Sequence, residues 1–194
     1  MDSSPQIAAL REAITCGDPA RAMPALAGLR DLPAEQAIPL LLLGLEQEVF
    51  LVRSLSCAGL GVKRSEAGWQ ALERALAEDS DVNVRSEAAG ALVNYGLARA
   101  WPPLLSAFRR ESHWLLRCSV LAAVAEHPEA EPALLLELAR LAVLDGDGTV
   151  RAGGAEILSL LARQGLDGVR DDLAALQRDP DHRVVAAALN GLQA

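Results

Sequence analysis

A two-residue phrase returns along this chain at near-constant intervals. It reads Val52-Arg53, Val84-Arg85, Leu116-Arg117, Val150-Arg151 and, in decayed form, Val184-Val185, in steps of 32, 32, 34 and 34 residues. Four residues after each anchor stands a small or apolar residue: Ser56, Ala88, Val120, Gly154 and Ala188. Eight residues after it stands an aliphatic one: Leu60, Leu92, Val124, Leu158 and Leu192. A period of this size marks a stacked array of small units. No unit of that length buries its own apolar face, so neighbours must bury it for one another.

The side chains available agree with close stacking. The chain is 51% hydrophobic but only 3% aromatic, which predicts a core of Ala, Leu and Val between closely approaching helices. The net charge of −8 argues against a nucleic-acid partner and against attraction to an anionic membrane surface. Lys63 is the only lysine; the remaining cations are arginines. Cys16, Cys57 and Cys118 are odd in number and form no C-x-x-C pair, so no disulfide framework is expected. The first residues show no basic and apolar leader pattern. The longest apolar run, residues 37–45, falls far short of the roughly 20 residues of a membrane helix. These features predict a soluble, cytoplasmic protein with no membrane insertion.

Each repeat reads as two helices joined by a tight turn. The clearest copy predicts a helix over Glu66 to Glu78, a turn at Asp79-Ser80-Asp81 and a helix from Val82 to about Tyr95. Asp81, Asp147 and Asp181 stand three residues before their anchors, where a side chain can cap the orphan N–H groups of a first turn. Ser112 is expected to do this for the Leu116 copy. Pro39, Pro102-Pro103 and Pro132 are expected in first turns, where a missing N–H costs nothing. Gly61, Gly96, His127-Pro128 and Gly165 read as stops. About six pairs result: 5–30, 33–62, 64–95, 97–127, 129–165 and 166–194. The expectation is one repeat domain over 1–194, with 1–32 a degenerate N-terminal cap and 166–194 a C-terminal cap repeat.

An Asp cap followed by Val-Arg, then Ala at +4 and Leu at +8, resembles HEAT-like repeats. Two stretches carry it most fully: Asp81-Val82-Asn83-Val84-Arg85 running on to Leu92, and Asp147-Gly148-Thr149-Val150-Arg151 running on to Leu158. The short, Ala/Gly-rich form over about 33–194 is similar to the phycobilisome-lyase type of HEAT repeat found in cyanobacteria. The resemblance implies an all-α, HEAT-like α-solenoid of about six helix pairs, wound as a right-handed superhelix. It also implies a protein partner, such as a helix of a phycobiliprotein, and no cofactor of the chain's own. The function implied is a non-catalytic protein-binding scaffold or chaperone-like adaptor. The alternatives are a bilin lyase or lyase subunit, or an assembly adaptor unrelated to pigments.

The arginine column (Arg53, Arg85, Arg117, Arg151) is expected to form a structural ladder with the cap carboxylates of its own or the adjacent repeat. His113, His127 and His182 have no second ligand at helical spacing, so no zinc site is expected. Asp145-Gly146-Asp147-Gly148-Thr149 lacks the later acidic ligands of a calcium loop and reads as a turn feeding an N-cap. Cys57 and Cys118 read as small apolar filler. With each anchor set at position 0, positions 4, 7, 8 and 11 share one side at 100° per residue, and positions 2, 6 and 9 point away. Those outward positions carry small residues: Ser54, Ala58, Gly61; Ser86, Gly90, Val93; Cys118, Ala122, Ala125; and Ala152, Glu156, Ser159. The predicted partner-binding groove and edge are therefore Ser86, Gly90, Val93, Asn94, Trp114, Cys118, Ala122, Ala125 and Glu126, without catalytic or metal-binding residues. Asn94 and Glu126, both at position 10, are placed at its edge. Trp69 and Trp101 are expected in the packing between repeats, and Phe50 and Trp114 at an exposed turn.

Overall fold

The computed structural model describes residues 4–128 and 130–193, which are helical throughout, with no strand. The helices are α1 (Pro5–Thr15), α2 (Pro19–Gly28), α3 (Ala34–Leu45), α4 (Phe50–Lys63), α5 (Glu66–Glu78) and α6 (Val82–Leu92). They continue with α7 (Leu97–Arg110), α8 (Trp114–Ala125), α9 (Pro132–Ala142), α10 (Gly148–Arg163), α11 (Val169–Leu176) and α12 (His182–Leu192). Single 3-10 turns follow α2 (Leu29–Asp31) and α6 (Val93–Tyr95). These are the six expected pairs, and the fold is a HEAT-like α-solenoid. Contacts divide the chain into two compact units, with the boundary inside α7 between Ala107 and Phe108.

The helices begin where the turn chemistry says they should. Asp81 accepts from Asn83 N–H at 2.8 Å, Asp181 from Arg183 N–H at 2.9 Å, and Asp147 from Thr149 and Val150 N–H at 2.7 and 3.3 Å. For α8 the cap is His113, not Ser112: its Nδ1 accepts from Leu115 N–H at 3.1 Å. His113 holds the same place, three before the anchor, as the three aspartates. A neutral imidazole offers an acceptor there just as a carboxylate does.

The prolines and glycines divide differently from the sequence expectation. Pro132 does open α9, but Pro39 and the Pro102-Pro103 pair lie inside α3 and α7. Pro33 is the N-cap of α3, and α7 starts directly after Gly96, at φ +103°. Both helices thus gain a turn ahead of their prolines. Gly61 does not stop α4, which runs on to Lys63 and ends at Arg64, the only described non-glycine residue with positive φ (+34°). Gly61 is instead a packing residue. A Cβ built there would lie 3.0 Å from Ala91 Cα on the neighbouring second helix, closer than side-chain carbons ordinarily approach. Unit 2 repeats the contact: a Cβ on Gly191 would lie 2.8 Å from Ser159 Cα. In both units residue 9 of one second helix meets residue 7 of the next.

The anchors form the floor of this packing. Val52, Val84, Leu116, Val150 and Val184 are all at most 2% exposed. Ser56, Ala88, Val120 and Ala188 behind them are fully buried. Ser56, the polar member, returns its hydroxyl to Val52 O at 2.8 Å, so its burial leaves no unpaired donor.

Candidate functional site

The arginine of the repeated phrase is committed to the fold, with an acceptor two residues away from the one the sequence suggested. Arg53 makes a two-pronged pair with Asp79, Nε–Oδ2 at 2.8 Å and Nη2–Oδ1 at 3.0 Å, and its Nη1 donates to Gln47 O and Glu48 O. Arg151 does the same with Asp179 at 2.8 and 2.9 Å, and with Asp145 O and Gly146 O. Arg117 pairs with Asp145 and donates to Ser112 O at 2.8 Å. Arg85 donates to Asp79 O and Ser80 O. The acceptors Asp79, Asp145 and Asp179 stand five residues before their anchors; the caps stand three before.

Each acceptor also fixes its own turn. Asp79, Asp145 and Asp179 accept from the N–H of Asp81, Asp147 and Asp181 at 2.8–2.9 Å. Acid-x-Asp is thus a divided device, the first residue binding the preceding repeat's arginine and the second starting its own helix. The cap aspartate's oxygens are aimed along the helix axis at N–H groups and are spent there, so the ladder falls to the residue before the turn. Electrostatics follow the geometry. Burial pushes Asp79 up, but the Arg53 guanidinium and the Asp81 N–H outweigh it, and the carboxyl sits below its ordinary range. The Arg151 hydrogen bonds hold Asp179 low in the same way. Burial pushes the Cys57 thiol up to about 12, so it is a filler and not a nucleophile at neutral pH.

The outward face of the second helices is rotated from the predicted one. Positions 3, 6 and 10 are the open ones: Leu55, Glu87, Val62, Asn94, Ala122, Glu126 and Glu156 are exposed, and Ala58 and Gly90 partly so. Position 9 is closed in three of four copies, with Gly61, Val93 and Ser159 buried, and position 2 is closed at Ala152. At 100° per residue, the centre of the open face lies about 70° from the one expected. The reason is the sideways contact through Gly61 and Ser159. In unit 1 α4 touches its own first helix α3 and also the next second helix α6, and in unit 2 α10 touches α9 and α12, so burial spreads past position 5 to position 9. Cys57, Ala89, Leu121 and Ala155, all at position 5, are at most 3% exposed.

Of the nine predicted site residues, Ser86, Gly90, Val93 and Asn94 belong to unit 1, and the other five to unit 2. In unit 1, Val93 is withdrawn from the surface at 8% exposure and Ser86 is half-buried; Gly90 and Asn94 stay open. A Cβ on Gly90 would meet nothing within 4 Å. In unit 2, Cys118, Ala122, Ala125 and Glu126 line one cavity of about 570 Å³, with Glu156, Arg163 and Arg183 on its walls. Trp114 stands at the surface, 44% exposed and stacked on His113 with ring centroids 6.0 Å apart. Sequence reasoning missed Leu55, Val62 and Glu87. Their signal was available at positions 3 and 10, where the repeats differ most.

The aromatic residues on first helices pack as expected in one copy. Trp69 is 4% exposed, meets Tyr95 edge to face at 5.5 Å and carries the Arg99 guanidinium 4.0 Å over its ring. Trp101 is half-buried. Among the described residues no group of three or more His, Cys, Asp and Glu side chains is placed to hold a metal ion, and no helix is long and apolar enough to cross a membrane.

Comparison with protein families agrees with this geometry. Residues 38–125, from α3 through α8, match the family described as HEAT repeats. Over those residues the chain carries HEAT-like repeats, and repeats of this kind commonly mediate protein–protein interaction. No curated protein matches the chain in sequence.

Proposed function

We propose that this protein is a non-catalytic binding scaffold or chaperone-like adaptor that receives a partner protein on the open faces of its second helices. One observation carries the reading. The ladder guanidiniums are turned inward to carboxylates and carbonyls, while position 6 offers uncovered small residues, Gly90 in unit 1 and Ala122 in unit 2. A surface that has spent its arginines and kept its side chains short admits a helix closely along it, the helix-in-groove mode. Asn94 and Glu126, exposed at position 10, supply hydrogen-bonding groups beside it.

The partner class that the sequence resemblance implies is a helix of a phycobiliprotein. Gly90→Arg and Ala122→Arg, tested separately against a purified phycobiliprotein subunit, should melt at or above the wild-type temperature and lose binding by about tenfold or more. Unchanged affinity in both variants would end the reading of these faces as the binding surface. Co-expression with bilin-making enzymes and an acceptor subunit tests the rival activity, since covalent pigment on the acceptor would assign the chain to bilin attachment. In the unit-2 cavity Arg183 is tied to Asp181 at 2.7 Å and Arg163 reaches Ser159. The Arg183 guanidinium is therefore already paired with a carboxylate.

A further inference from the structure

A second cavity, in unit 1, has a different chemistry. It measures about 580 Å³, within the range of small-molecule sites, and lies among α2, α3, α4 and the 3-10 turn Leu29–Asp31. Its walls are apolar, with Leu26, Leu41, Leu55, Ala58 and Val62 among them, and its charged lining residues are two cations, Arg30 and Lys63. No acid lines it, in a chain whose net charge is −8.

The other repeats serve as the control for whether this lining is incidental. At positions 3, 6 and 10, α4 carries Leu55, Ala58 and Val62; α6 carries Glu87, Gly90 and Asn94; and α8 carries Ser119, Ala122 and Glu126. Two of these three places carry polar groups in α6 and again in α8, whereas all three are apolar in α4. Val62 is held 63% exposed and Leu55 36% exposed at the mouth, an arrangement that costs solvation unless something apolar covers it. Lys63 Nζ donates to Arg30 O at 2.7 Å and Leu32 O at 2.6 Å, which fixes the ammonium at the rim with one N–H to spare. The Arg30 guanidinium has no hydrogen-bond or ion-pair partner among the described residues.

We infer that this cavity binds a small amphiphile with an alkyl body and a carboxylate head, the body against Leu41, Leu55 and Val62 and the head on Arg30 and Lys63. Two cations beside an acid-free wall select an anion, and a cavity of this volume takes an unbranched chain of medium length. A charge-assisted pair at the mouth then adds to apolar burial within. This assignment does not rest on the protein-binding reading above, which is tested at Gly90 and Ala122.

Isothermal titration calorimetry of the full chain with decanoate, decanol and decyltrimethylammonium tests it. Decanoate should bind saturably at one site, about tenfold more tightly than decanol, and the cationic analogue should be the weakest of the three. Arg30→Gln should bring decanoate down to the level of decanol. Val62→Asp, at an exposed position that leaves the fold intact, should weaken decanoate and spare decanol. Ala58→Phe should fill the cavity and abolish both. Equal affinity for decanoate and the cationic analogue would overturn the inference, as would absence of saturable decanoate binding. A self-association seen by sedimentation velocity and lost in Ala58→Phe, with no decanoate binding, would assign the cavity to a second copy instead.

Discussion

The two units share one frame and differ in what they mount on it. In unit 1, Arg53 grips Asp79 beneath an open face that reads Leu55, Ala58, Val62, with cations at the rim of its cavity. In unit 2, Arg151 grips Asp179 by the same atoms beneath a face that reads Gly153, Glu156, Leu160, with Glu126, Arg163 and Arg183 around its cavity. The cavities are nearly equal, about 580 and 570 Å³, yet one is greasy and cationic and the other carries both signs of charge. Residues that point into the stack are constrained by every neighbour and repeat; residues at positions 3, 6 and 10 answer only to solvent or a ligand. In a repeat protein the chemistry therefore lies where copies disagree.

The comparison is broken most directly at the shared part. Arg53→Ala and Arg151→Ala each leave a carboxylate, at most 12% exposed, without its counter-ion, and strip two backbone carbonyls of a donor. Each should destabilise its unit by about 3–5 kcal/mol, read as a shift in the denaturant midpoint. A loss in one unit and none in the other would mean that the ladder is not a common frame. Filling the side-by-side contact tests the same claim with apolar chemistry. Gly61→Leu and Gly191→Leu would each drive a side chain into a neighbouring backbone, costing about 1–3 kcal/mol and more if the helices cannot part.

Acid should loosen both units together. Asp79 and Asp179 have carboxyls held below their ordinary range in the folded state. Their contribution is therefore fully present above the usual aspartate value and is lost as pH falls through it toward the lowered folded value. Thermal melts should be flat near neutrality and should fall below about pH 4. In Asp79→Asn and Asp179→Asn that fall should shrink; a fall of undiminished size in both variants would place the acid-sensitive groups elsewhere.

The frame was legible in the sequence because stacking repeats its demands. Val-Arg, the +4 and +8 residues and the Asp caps are each dictated by contacts that recur every 32 to 34 residues, so five weak signals add. The ladder acceptor was misread by two residues because Asp79 and Asp81 are indistinguishable by composition; only the direction of the cap oxygens separates them. The open face was misread because helical phase from one buried stripe assumes a single neighbour. Gly61 and Ser159, small residues that looked like an uncovered groove, are small because another backbone lies against them. Nothing in their own helix says so. The mounted chemistry at Leu55 and Val62 was visible only as disagreement among copies.

The capping position offers a finer comparison, since unit 2 starts α8 with His113 where α6, α10 and α12 have aspartate. The imidazole Nδ1 fills one acceptor role at 3.1 Å, but a carboxylate would also interact with the positive end of the helix. His113→Asp should stabilise unit 2 by about 0.5–1 kcal/mol, measured as a rise in its denaturant midpoint. No rise at neutral pH would mean that the stacking of His113 on Trp114 contributes as much as the charge would.

The smallest expected effect is the one that bears most on the binding face. Glycine at position 90 sits in mid-helix, half-exposed, with open space where a Cβ would go, so no packing reason holds it there. Gly90→Ala should stabilise unit 1 by about 0.5–1 kcal/mol through helix propensity alone. Ala122, the same position in unit 2, already carries the methyl group and provides the reference. If Gly90→Ala raises the denaturant midpoint and leaves partner affinity unchanged, closest approach at Gly90 is not used, and binding along this helix rests on Asn94 and its neighbours. If it raises stability and weakens binding, the missing Cβ is the space a partner backbone occupies. A destabilised variant would contradict the open geometry itself, because then position 6 of α6 must be covered by something that closes on it.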